Sequence, residues 1–158
     1  LVLQLPPSLS FEEAKPRLEE LFDILPPDFV YPIEGRHESW FTDEALNYLK
    51  QKKHCLVWNV VEGVDNPMPI TSNYLYVRLI GDRSIPDNQF GAIRKNKSDL
   101  IKNWAQKLAG ISDIPLAMVM ANNHFEGFGP ATANTLGKNL GMRELVWEEK
   151  KQKTLGNF

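Results

Sequence analysis

The chain has 158 residues, 42% hydrophobic and 24% charged, with a net charge of −2. That length suits one ordinary domain able to bury roughly 70% of its unfolded surface, and the composition is globular rather than disordered. The charge provides no global attraction to nucleic acid or an anionic membrane, and no apolar run approaches the ~20 residues needed to cross a bilayer.

Leu1 to Leu5 reads as a short first strand closed by Pro6-Pro7. It starts without the slack that normally precedes a first strand, so the chain is expected to begin in the middle of a longer fold. Ser10 and Glu13 then have the spacing of a capping box, and Phe11, Ala14, Leu18, Leu21, Phe22 and Leu25 follow at helical intervals. Pro16 is awkward inside this helix and predicts a kink or a later start. Phe29 to Arg36 reads as a second strand. Thr42 opens a second helix, with Asp43 and Glu44 in its first turn and Lys50, Lys52 and Lys53 at its end, an order that suits the helix dipole.

Cys55 to Val61 is a third strand, and its apolar setting marks Cys55 as a buried structural thiol. One cysteine permits no internal disulfide and fits a reducing, cytoplasmic location. Asp65-Asn66-Pro67 marks a loop, and Tyr74 to Ile80 is the fourth strand, stopped by Gly81. Ser98 is expected to cap a third helix with Leu100, Ile101, Trp104 and Leu108 inward and Gly110 at its end. Pro115 to Ala121 is a fifth strand, and a last helix is expected from Pro130 to about Gly141. Residues 1–147 read as one unit and 148–158 as a polar, disordered tail.

Apolar strands mostly separated by helices predict a parallel sheet covered on both faces, either an open doubly wound sheet or part of a (β/α) barrel. Ligands of such folds lie beyond the carboxyl ends of the strands. The polar residues there are Gln4; Glu34 and Arg36, followed by His37 and Trp40; Trp58 and Asn59; Arg78 and Asp82; and Asn122-Asn123-His124. Glu34 and Arg36 form either a structural ion pair or part of a site. Arg78 stands in an otherwise apolar strand, where an unpaired charge is costly, so it pairs with Glu34 or Asp82 or meets an anionic ligand. His54 reads as structural. The glycine-rich turn after His124, leading into a helix start, suits close approach by an anion but matches no nucleotide fingerprint. No nucleophile elbow supports a serine-histidine triad. No cofactor is expected. A divalent metal held by Glu34, His37, Asp82 and His124 is the minor alternative, without a close ligand pair to support it. The run Arg94-Lys95-Asn96-Lys97, with Lys102 and Lys107, reads first as a solvated helix entrance and second as a nucleic-acid patch.

Four segments in order, Gln4-Leu5-Pro6-Pro7-Ser8, Glu34-Gly35-Arg36-His37-Glu38-Ser39-Trp40, Tyr76-Val77-Arg78-Leu79-Ile80-Gly81 and Asn122-Asn123-His124-Phe125-Glu126-Gly127, resemble the YecE-like family, known as domain of unknown function 72. The resemblance implies a TIM-barrel-like (β/α) fold in which this chain supplies roughly strands 4 to 8. Ile80 stands where the family often has histidine. The expected site therefore has Glu34, His37 and His124 as proton-moving groups, with Arg36, Trp40, Arg78, Asp82, Asn122 and Asn123 binding a small anionic, phosphate-containing ligand. Two rival expectations are a non-catalytic nucleic-acid or ligand-binding protein, and a fragment with no activity alone. The resemblance implies no activity, and the oligomeric state stays open.

Overall fold

The computed structural model describes residues 1–60 and 67–146. The expected tail at 148–158 and most of the expected loop at Asp65-Asn66 lie outside them.

Among the described residues five strands run in parallel: β1 (Leu3–Gln4), β2 (Ile33–Glu34), β3 (Trp58–Val60), β4 (Tyr74–Leu79) and β5 (Leu116–Ala121). β1 pairs with β2, and β3, β4 and β5 pair in that order. A parallel bridge between Ile33 and Leu56 links the two sets. The chain N–H of Ile33 donates to Cys55 and that of Val57 to Ile33, at 2.8 and 2.9 Å. Chain order and spatial order therefore coincide. Among the described residues, the outer edges of β1 and β5 have no strand partner, and no closed barrel forms.

Three expected strands shrink. Regular pairing in the second covers Ile33–Glu34 rather than residues 29–36, because Pro32 has no N–H to extend the ladder. Phe29 and Val30 are exposed. The first strand keeps Leu3–Gln4 of residues 1–5. In the third, the bridge at Leu56 precedes the regular segment Trp58–Val60, and Val61 is outside the described residues.

The helices are α1 (Phe11–Ile24), α2 (Asp43–Lys52), α3 (Ser98–Ala109), α4 (Asn123–Glu126) and α5 (Gly129–Asn139). Both halves of the capping box form at α1: Ser10 Oγ accepts the Glu13 N–H, and the Glu13 carboxylate accepts the Ser10 N–H. The helix runs through Pro16 without interruption, held by the buried stripe Phe11, Ala14 and Leu18. Thr42 caps α2 as expected. Ser98 does not cap α3. It is the first helical residue, its N–H bonded to Asn96 Oδ1, while the preceding Lys97 N–H donates to the buried Glu126 carboxylate. Leu100 is exposed rather than inward, and Ala105 fills the buried face beside Ile101 and Trp104.

Two cores form, and the bridged residues Ile33 and Leu56 belong to the second. One packs Leu75, Val77 and Leu79 of β4 against Ile101 and Trp104 of α3, Phe125 and Leu136. The other gathers Phe11, Leu18, Ile33, Trp40, Tyr48 and Leu49. Side-chain alternation in β4 sends Tyr76 and Arg78 to the face away from the first core, where both are half-buried. Cys55 is buried, and burial raises its thiol pKa, so it is the structural thiol the sequence suggests.

Candidate functional site

β1, β2 and β4 bring three polar side chains together at or near their carboxyl ends. Glu34 ends β2 and is fully buried. A carboxylate there is tolerable only if both oxygens have strong partners. Arg36 supplies one set: its Nε and Nη2 donate to Glu34 Oε1 at 2.9 and 2.7 Å. Arg78, from β4, supplies the other by donating from Nη1 to Glu34 Oε2. The same Nη1 donates to Gln4 Oε1 at the end of β1, at 3.0 Å. The sequence left Arg78 with Glu34, Asp82 or an anionic ligand as its partner, and of the two carboxylates the fold gives it Glu34.

The charges do not balance locally. Two guanidinium groups share one carboxylate, and both arginine side chains remain over a quarter exposed. Arg36 Nη1, together with Nε and Nη2 of Arg78, donates to no partner among the described residues. The cluster thus combines a surplus positive charge with accessible planar donors, the geometry that receives carboxylate or phosphate oxygens.

Gly35, between the two paired residues, is set by packing. A Cβ at Gly35 would lie 2.3 Å from Trp40 Cγ, so the fully buried Trp40 ring occupies the space a side chain would need. Trp40 donates its indole N–H to Leu9 O at 3.1 Å and meets Phe11 edge-on. The ring thus packs against the backbone between Glu34 and Arg36. His37 likewise turns to local structure: Nδ1 accepts the Ser39 N–H, and Ser39 Oγ accepts the Phe11 N–H that opens α1.

The remaining site residues form two further groups. Asp82 accepts from Lys95 Nζ and from the Ser84 N–H and hydroxyl, contacts that hold its carboxyl far below the usual carboxylate range. Asn122 Oδ1 accepts the His124 N–H, and Asn123 Oδ1 accepts the Gly129 N–H, so both asparagines shape the turn between β5 and α5. His124 meets Phe90 edge-on and places Nε2 3.7 Å from Asp87 Oδ1. Its Nδ1 is buried and has no hydrogen-bond partner among the described residues. Asp87 and Phe90 lie in a segment with no strand or helix pattern, so the sequence held no signal for them. Gly81 joins this region to the end of β4: its φ of +81° and a Cβ position 2.3 Å from His124 O both exclude a side chain.

Glu34, His37, Asp82 and His124 form no group of three able to hold a metal ion, and neither does any other set among the described residues. The basic stretch is partly engaged within the fold. Arg94 donates to Gln89 O, Lys95 pairs with Asp82, Lys97 lies over Phe125, and Lys107 lies over Trp58 and Trp104. Among the described residues no helix is long and apolar enough to cross a membrane.

The family model described as "Protein of unknown function DUF72" matches residues 1–155. A crystal structure of a DUF72 family protein from Thermotoga maritima superposes with a TM-score of 0.66 at 20% identity, covering 89% of this chain and 56% of that one. One from Enterococcus faecalis gives 0.70 at 19% identity, covering 90% and 61%. At these identities the likeness is one of fold. The chain spans about three fifths of the length of these two solved structures. Comparison with curated proteins finds no match.

Proposed function

The chain belongs to the DUF72 family of proteins of unknown function, and from that premise we propose that its strand-end cluster is an anion-binding site at the mouth of a partial (β/α) barrel. The ligand is a small phosphate-containing molecule. Arg36 and Arg78 take its charge, Glu34 fixes the two guanidinium planes, and Gln4 holds Arg78 from the side. His124, in the turn set by Asn122 and Asn123, belongs to a separate group beside Asp87 and Phe90; its place just after β5, the strand paired with β4, supports it as the proton-moving group of a hydrolase or lyase reaction.

One observation supports this reading above the others: two partly exposed arginines converge on one buried carboxylate and keep donors to spare. A purely structural pair would need only one cation. The barrel part of the reading is supported by the five parallel strands in sequential order, with outer edges unpaired among the described residues, and by the greater length of the solved relatives.

The test is calorimetric titration of the purified chain with inorganic phosphate and with a simple phosphate monoester. Saturable binding that weakens as salt rises, and is lost in Arg78→Met while the variant still melts cooperatively, is the expected result. Equal binding by parent and Arg78→Met, or none by the parent, rejects the site. Release of phosphate from the monoester, abolished in His124→Gln with binding retained, would assign the reaction.

A further inference from the structure

A second cleft lies at the opposite ends of the strands, where Tyr31 precedes β2, His54 precedes β3 and Asn73 precedes β4. Pro26, Pro27 and Pro32 keep the intervening segment out of the sheet, because none can donate to a ladder. Phe29 and Val30 consequently project beside the sheet, 67% and 44% exposed, instead of entering a core. The cleft has a volume of about 330 Å³, within the range of roughly 300–1,000 Å³ in which small-molecule sites fall.

Its wall is already assembled. The His54 ring stacks on Phe22 with centroids 4.0 Å apart and planes 20° off parallel, and Phe22 meets Tyr31 at 6.1 Å. Tyr31 is held by its hydroxyl, which donates to Pro26 O. Burial, reinforced by nearby Lys52, lowers the pKa of His54, so at neutral pH it lines the cleft as an uncharged ring. The charge lies at the rim: Lys52 and Lys53 border the cleft, whereas no aspartate or glutamate does. The Asn73 amide, also at the rim, adds donors free of charge.

We propose that this cleft binds a small organic carboxylate with a flat aromatic body, the ring lying among Phe22, Phe29, Tyr31 and His54 and the carboxylate meeting Lys52 and Lys53. An apolar ring alone would not need the lysines. A bare anion would not need the rings. The lysines also complement the C-terminal dipole of α2, and the experiment separates that structural use from ligand binding.

The measurement is fluorine NMR of 4-fluorobenzoate titrated with the purified chain, beside the neutral 4-fluorobenzamide. The expected result is saturable broadening of the benzoate signal, with benzamide bound about tenfold more weakly, a difference of the size one charged contact makes. Phe29→Ala weakens both probes. Lys52→Gln with Lys53→Gln brings benzoate down to the level of benzamide. These positions are exposed, so the variants should still melt cooperatively, the lysine pair with only the small loss that removing charge from the C-terminus of α2 carries. No saturable benzoate binding, or equal affinity for the two probes, overturns the proposal on the unmutated chain alone. Binding unchanged in Phe29→Ala places the probe elsewhere and overturns it too. The Arg36–Arg78 site also presents donors to a carboxylate, so the titrations are repeated in Arg78→Met: benzoate binding retained there belongs to the cleft, and benzoate binding lost there overturns the proposal.

Discussion

Replacing Glu34 by glutamine keeps the shape of the side chain and removes only its charge. The buried position then holds an amide, and Arg36 and Arg78 face one another without an anion between them. Removing one partner of a buried ion pair costs about 3–5 kcal/mol, because the other is left desolvated. Both arginines here are partly open to water, with 29% and 27% of their side chains exposed. Solvent therefore restores part of the loss, and the low end, about 3 kcal/mol, applies. In a domain of this size that corresponds to a fall in Tm of about 6–12 °C. Arg36→Met should cost less, about 1–2 kcal/mol, since Arg78 still neutralises Glu34. Combining the two changes should cost less than their sum, because the second removes the repulsion created by the first. Urea unfolding followed by tryptophan fluorescence measures all three, and added phosphate should stabilise Glu34→Gln more than the parent. If Glu34→Gln lies within about 0.5 kcal/mol of the parent, as at an ordinary surface position, Glu34 is not what holds the arginines. Strict additivity with Arg36→Met would refute the shared-carboxylate reasoning equally.

Gly35→Ala forces a methyl group against Trp40 and should cost about 1–3 kcal/mol by overpacking, with a shifted Trp emission; a variant as stable as its parent would mean that the ring can move aside at no cost. The folded-state pKa of His54 is depressed, chiefly by burial and secondly by Lys52. Its contribution to stability is thus present above the unfolded value of about 6.5 and is lost as pH falls from there through the folded value. Melting curves across that window should flatten in His54→Phe, and an identical pH dependence would exclude His54 as the source. Among the described residues β5 has an unpaired edge, with Leu116 and Met120 exposed, which predicts concentration-dependent association. Sedimentation velocity should show less of it in Met120→Lys; a monomer at every concentration in the parent contradicts the prediction.

Local rules carried the parts of this protein that depend on neighbours in sequence. The capping box at Ser10 and Glu13, the Thr42 cap and the fourth and fifth strands all follow from short spacings, and so were legible from the chain. Strand lengths were less so: apolar character suggested residues 29–36, but Pro32 interrupts the ladder that would have made them a strand. The composition of the site lay further from reach. Arg78 meets Gln4 across 74 residues and Glu34 across 44, and only the order and register of β1, β2, β3 and β4 place them together. The loops beyond the strands give Asp82 to Lys95 and set His124 beside Asp87 and Phe90, so these polar residues have partners of their own. The sequence alone determined which side chains stand at the strand ends, since alternation and capping are local. Tertiary structure decided which of them share a charge, because ion pairing depends on a few ångströms that only the packed sheet fixes.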